Sequence, residues 1–145
     1  MGLVKWGKLD RRHHFSSIHL VALLCVLSAA VSSMVSTRPE MALIYRLSGD
    51  YNPLHAEPAF AKAAGFPRPI LHGLGTFGVS GHALLKTMCG YDPARLISFS
   101  CRFSAPVFPG ETVRTEMWRD GAVVSFRARV LERDVINHGR AEVRS

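Results

Sequence analysis

The sequence predicts an α+β domain, and three observations carry that prediction. Helical signals are confined to residues 37–88, four strand-like segments follow between residues 95 and 144, and short turn-rich connections separate those segments. Helices first and antiparallel strands afterwards assemble as one sheet with helices segregated from it. At 145 residues, 48% apolar and 20% charged, the chain is too apolar to be disordered and too short for two stacked domains.

The first helix is signalled by Thr37 as N-cap, Pro39 in the first turn and Glu40 beside it, with Met41, Leu43, Ile44 and Leu47 as its apolar face. The polar run Ser48-Gly49-Asp50-Tyr51-Asn52-Pro53 is a turn, and residues 58–64 form a short helical piece closed by Gly65. The long apolar segment 70–88 reads as a helix with Leu74, Phe77, Leu84, Leu85 and Met88 on one side and Gly75, Gly78 and Gly81 on another. A glycine inside a helix costs roughly 1 kcal/mol relative to alanine, so this stripe predicts a close neighbour, such as a sheet wrapped around the helix. The strands are expected at residues 95–104, 111–119, 122–132 and 139–144, with a turn at 106–110 and a hairpin at Asp120-Gly121.

Composition changes at Thr37–Pro39, which places a boundary between an N-terminal extension, residues 1–37, and a domain, residues 38–145. In the extension, an apolar run at 18–35 follows Lys5, Lys8, Arg11 and Arg12, the order found in signal peptides and anchors. His19, Ser28, Ser32 and Ser33 dilute the run, which falls short of the ~20 predominantly apolar residues that span a membrane. An extension of another kind is expected, without a membrane partner, and the run shows no β alternation.

Lysine and arginine outnumber the acids 18 to 11, giving +7. Four of those bases against Asp10 leave +3 within residues 1–37, and the remaining charge is spread without a basic run. Aromatics do not interleave with the bases, so nucleic acid is excluded as a partner, while a phosphate-bearing small molecule stays open. Cys25, Cys89 and Cys101 form no CxxC pair, which argues against a zinc cage or a disulfide framework.

The segment from Tyr45 to His55 places Asp50, Asn52 and His55 within six positions, where Gly49 and Pro53 prevent a continuous helix. A carboxylate and an imidazole that converge on one water can serve as base and acid in a single addition. The same residue types also build Asx turns and loop caps, and that structural reading stands beside the chemical one. A metal site would need further ligands, for which only His72 and His82 are near, and none is expected. Gly73-Leu74-Gly75-Thr76-Phe77-Gly78 satisfies GxGxxG, but Pro67 and Pro69 replace the preceding strand and Asp92 lies in a turn, so a dinucleotide fold is not indicated. Gly73 at the helix start instead leaves a backbone N–H aligned with the helix dipole, a donor suited to an oxygen that gains negative charge.

The run from Tyr45 to His55, continuing through Phe60, Ala61, Gly65 and Phe66 to Arg68-Pro69-Ile70-Leu71-His72-Gly73, resembles the hydratase 2 motif of (R)-specific enoyl-CoA hydratases, the MaoC-like group of hot-dog proteins. The likeness extends through Arg102 to Thr112 and Asn137 to Val143, and is strongest to the catalytic C-terminal half of two-hot-dog hydratases such as peroxisomal multifunctional enzyme type 2 and its bacterial relatives. The resemblance implies a hot-dog fold, in which a curved antiparallel sheet wraps a long helix. It implies a catalytic dyad of Asp50 and His55, Asn52 orienting the water, and the Gly73 amide on the thioester carbonyl. Tyr45, Leu71, His72, Phe77 and Arg68 would bind substrate, with Lys62 and Lys86 as further candidates for CoA phosphates. The implied reaction is reversible hydration of a trans-2-enoyl-CoA to the (3R)-3-hydroxyacyl-CoA, with no metal or redox cofactor.

Relatives of this kind carry a strand, or a whole second hot dog, before the first helix. The expectation is therefore a homodimer or a partner chain that supplies the missing hot dog. The alternatives are a hot-dog thioesterase and a non-catalytic or truncated subunit. Glu142-Val143-Arg144-Ser145 is unlike an SKL-type address, so cytoplasm is expected ahead of peroxisome.

Overall fold

The computed structural model describes residues 31–144. Strand β1 (Val31–Ser36) precedes helix α1 (Met41–Arg46), a 3-10 turn at Pro53–His55, helix α2 (Pro58–Ala63) and helix α3 (Gly73–Met88). A second 3-10 turn, Pro93–Arg95, leads into β2 (Leu96–Phe103), β3 (Thr112–Asp120), β4 (Val123–Val130) and β5 (Arg133–Val143). The five strands form one antiparallel sheet in the order β1-β3-β4-β5-β2.

Helix α3 lies on one face and packs against β1, β3 and β2, so it reaches both edge strands, the arrangement expected of a hot dog. Its Val79, Leu84 and Met88 meet Val113 and Met117 of β3, Val124 and Phe126 of β4, and Ile136 of β5 in one core. Strand β4 shows the cause: Val124, Phe126, Ala128 and Val130 point inward, alternating with Ser125, Arg127 and Arg129. Irregular registers between Ser100 and Arg102 and between Phe126 and Ala128 bend the sheet. At the second, His138 has φ of 49° and a Cβ on Gly139 would stand 2.5 Å from the Phe126 carbonyl oxygen, so glycine alone fits.

Several expectations require correction. The boundary at residue 37 falls too late, because β1 pairs with β3 from Val31↔Met117 to Ser36↔Thr112. Its only buried residue is Ser33, so the strand carries no apolar alternation to reveal it. Residues 1–30, with most of the apolar run, lie outside the described residues, among which no helix is long and apolar enough to cross a membrane. Thr37 caps no helix: its hydroxyl donates to the Glu111 carbonyl at 2.7 Å and accepts from the Gly110 N–H at 3.0 Å, tying β1 to the start of β3.

The last strand begins at Arg133 rather than 139, since Leu131-Glu132 makes a two-residue hairpin without the usual Gly or Asn, Leu131 taking φ of 51°. Among the described residues the glycine stripe meets the sheet only at Gly81, where a Cβ would lie 3.4 Å from Phe99 of β2; Gly75 accommodates Leu71, and none of them approaches Gly78 within 4 Å. The apolar face of α1 is largely uncovered, with Leu43, Ile44 and Leu47 at 50%, 56% and 79% exposure and only Ala42 buried.

On the outer face, Glu116 is buried between Arg114 and Arg127. Burial alone would raise its pKa, but the hydrogen bonds and charges of the two arginines outweigh it and hold the carboxyl below its ordinary 4.5. A depressed carboxyl stabilises the fold above its unfolded pKa and loses that contribution as pH falls below it. Thermal unfolding below about pH 4.5 should therefore show a steeper loss of stability in the wild type than in Glu116→Gln. Parallel acid limbs would remove Glu116 from the account.

Candidate active site

Helix α1 ends where the Tyr45 carbonyl collects the N–H groups of Ser48, Gly49 and Asp50 at 3.1, 2.8 and 3.4 Å. Gly49 lies so close to the Tyr45 ring that a Cβ would stand 2.5 Å from it, which fixes the path into Asp50. Asp50 Oδ1 accepts the Asn52 N–H at 3.0 Å, and Asn52 Oδ1 accepts the Leu54 N–H at 3.0 Å. Two successive Asx turns thus deliver the chain into the 3-10 turn that buries His55. The structural reading of these residues is correct, yet it does not compete with the chemical one, because it occupies Oδ1 and leaves Oδ2.

That oxygen lies 3.8 Å from His55 Nε2 and 3.9 Å from His72 Nε2. His55 Nδ1 is 2.8 Å from the Ile70 carbonyl oxygen, which can only accept, so Nδ1 carries a proton and, in the neutral ring, Nε2 presents a lone pair. His72, the residue before α3, is buried and stacks on His55 with centroids 3.7 Å apart and planes 27° apart. The Tyr45 ring meets it edge-on at 4.7 Å. Burial lowers the pKa of His72, the adjacent His55 lowers it further, and the Asp50 carbonyl and carboxylate oppose both less strongly. Neither ring nitrogen of His72 makes a hydrogen bond among the described residues.

Gly73 follows as the first residue of α3, exposed and with its N–H in no hydrogen bond among the described residues. A cavity of about 470 Å³ borders the same place, with Val35, Met41, Ile44, Tyr45, Leu71 and His72 in its wall. The structure therefore gathers Asp50, His55, His72, Tyr45 and Leu71, with Gly73 next in the chain. The carboxamide oxygen of Asn52 caps the 3-10 turn, and its NH₂ makes no hydrogen bond among the described residues.

Phe77 packs on Phe99 of β2 at 4.1 Å and is not among the residues that line this cavity. Arg68 donates to the Pro109 carbonyl at 2.9 Å and lies over the Phe108 ring, so part of its hydrogen-bonding capacity serves the loop. His82 sits beside Tyr91, 5.7 Å between rings, away from the cluster. Lys62 and Lys86 are exposed with no ion pair among the described residues. Val35, Met41 and Ile44 are cavity residues that sequence reasoning missed; the available signal was a first helix with more apolar positions than a six-residue element can bury.

The family model described as MaoC like domain matches residues 27–139. The chain belongs to the MaoC-like dehydratase family. This MaoC-like domain is 56% identical over 98 residues to "Enoyl-CoA hydratase 2, peroxisomal" of Arabidopsis thaliana, which covers 68% of the chain and 32% of that relative. It superposes on the full-length peroxisomal multifunctional enzyme type 2 of Drosophila melanogaster with a TM-score of 0.77 and 34% identity, covering 99% of this chain and 24% of that one. On a MaoC-like dehydratase from Phytophthora capsici the TM-score is 0.78 at 38% identity, covering 100% of this chain and 47% of that one. The MaoC-like domain therefore spans less than half the length of each of these relatives.

Proposed function

We propose that the chain is an (R)-specific enoyl-CoA hydratase of fatty acid metabolism, adding water reversibly to a trans-2-enoyl-CoA to give the (3R)-3-hydroxyacyl-CoA. The observation that carries this reading is Asp50 Oδ2 facing His55 Nε2 at 3.8 Å, one helix start away from the Gly73 amide, with neither Oδ2 nor that amide in a hydrogen bond among the described residues. In the hydration direction the Gly73 N–H holds the thioester oxygen and draws electron density from C3. Water held by Asp50 and His55 loses a proton to the dyad as its oxygen bonds C3. The C2=C3 electrons pass to the thioester as an enolate, which collapses as C2 takes a proton from the dyad on the same face. Protons balance within the dyad, which takes one from the water and delivers one to C2. No redox cofactor enters these steps. The cavity beside His72 and Tyr45 suits the apolar acyl chain.

Ile44 and Leu74 line that cavity and are themselves 56% and 62% exposed. With Met34, Leu43 and Leu47 they are apolar residues left exposed among the described residues, and a second hot dog, from another copy or a partner chain, would cover them. Between cytoplasm and peroxisome, the relatives' names favour the peroxisome for this reading.

The test collects the purified chain from a sizing column and supplies it with short and long enoyl-CoAs. Hydration to the (3R) alcohol in a fraction of twice the chain mass is expected. Release of free CoA thiol without hydration would make it a thioesterase instead, and a fully active monomer would overturn the pairing.

A further inference from the structure

We propose that Asp50, His55 and His72 form a binding site for a divalent transition-metal ion, zinc above all, and that zinc bound there blocks the site. Each of the three residues offers one donor atom, and these atoms lie within 4.8 Å of one another. Zinc bonds of roughly 2.0–2.2 Å set tetrahedral donors about 3.4 Å apart, so side-chain shifts of about an ångström close the set.

Four observations favour this cation. His55 donates Nδ1–H to the Ile70 carbonyl, the outer partner that orients a metal-bound imidazole and frees Nε2 for the ion. The side chain of His72 is 3% exposed, has no hydrogen bond at either ring nitrogen among the described residues, and brings Nε2 to 3.9 Å from Asp50 Oδ2. A buried imidazole with neither nitrogen satisfied costs stability, and a ligand at Nε2 relieves part of that cost. The two rings stack at 3.7 Å with planes 27° apart, and both Nε2 atoms lie within 4 Å of the same carboxylate oxygen, Asp50 Oδ2, at 3.8 and 3.9 Å. Two imidazoles and one carboxylate with an open fourth position suit zinc and its neighbours, whereas magnesium and calcium require a set of oxygen donors.

The binding site stands on this geometry alone, while the inhibition rests on the hydratase reading. A zinc ion would take the His55 Nε2 lone pair and Asp50 Oδ2, the groups that receive the water proton in that reading.

The experiment titrates zinc chloride into the full chain after removal of metals by a chelator, with binding followed by calorimetry. His13, His14 and His19 could hold zinc independently, so the protein carries His13→Gln, His14→Gln and His19→Gln. One zinc per chain is expected, with affinity lowered about tenfold or more by His72→Gln and also by Asp50→Asn, whose side chain is 45% exposed and whose replacement spares the core. Cobalt in place of zinc should show the visible bands of a nitrogen and oxygen site without a thiolate charge-transfer band. Hydration, measured in parallel, should stop as zinc fills the site, recover with EDTA and ignore magnesium. Unchanged zinc binding in both variants, or none at micromolar zinc, overturns the site. Binding that depends on His72 and Asp50 in a chain without hydratase activity upholds the site and refutes the hydratase reading alone; binding without loss of hydration overturns the inhibition.

Discussion

Asp50→Asn is expected to slow hydration of crotonyl-CoA by about two to four orders of magnitude, the range lost with a positioned acid–base group. The substitution is nearly isosteric. Its carboxamide oxygen can still accept the Asn52 N–H that Asp50 Oδ1 now holds at 3.0 Å, so the turn that presents His55 is retained. What disappears is the anionic oxygen 3.8 Å from His55 Nε2. The amide that replaces it cannot share a proton with the imidazole. Loss of the enone absorbance reports the rate, and an unchanged circular dichroism spectrum and melting temperature report the fold. A wild-type rate in Asp50→Asn would remove the dyad from the mechanism.

The second large effect is expected at Gly73. Replacing it by proline deletes one backbone N–H at the first position of α3, where proline is tolerated because that N–H has no helical partner. His72 already has φ of −56° and ψ of 142°, the extended conformation that a residue before proline requires. The Gly73 N–H makes no hydrogen bond among the described residues, so folding loses none. If that N–H stabilises the enolate oxygen, Gly73→Pro should cost about two to three orders of magnitude in kcat, as loss of one such donor does elsewhere. Gly73→Ala is the control: its Cβ would meet Phe103 at 3.5 Å, an ordinary contact, and it keeps the amide. Equal activity in the two variants would dismiss the amide as a donor.

The family follows from a short stretch of sequence, and the reason is chemical. Asp50, Asn52 and His55 stand close in the chain, and the Asx turns that shape the loop use the same side chains that hold water and protons. Local hydrogen bonds therefore carry most of the site geometry, and local geometry is what a sequence records best. The three helices and the strands β2, β3 and β4 follow for a similar reason, since each has its own turn signal or periodicity. Asp50 and His55 are legible in this way, as is the placement of Gly73 at a helix start.

Other features depend on contacts between segments far apart. Strand β1 buries only Ser33 and is held by backbone pairing with β3, about eighty residues later, so no pattern within it marks a strand. Thr37 looks like a helix cap until Glu111 and Gly110 take its hydroxyl. The contact of Phe77 with Phe99 across the helix–sheet interface is likewise invisible in the sequence. His72 changes most. In the sequence it is one histidine beside a glycine; the fold stacks it on His55, turns it toward Asp50 and buries it without a hydrogen bond to any described residue. The sequence by itself determined the α+β class, the resemblance to a family and the loop that carries Asp50 and His55, because turns, caps and periodicity act over a few residues. Only the tertiary structure decided the first strand, the cavity wall and the third member of the cluster, because these exist only where distant segments meet and exclude water.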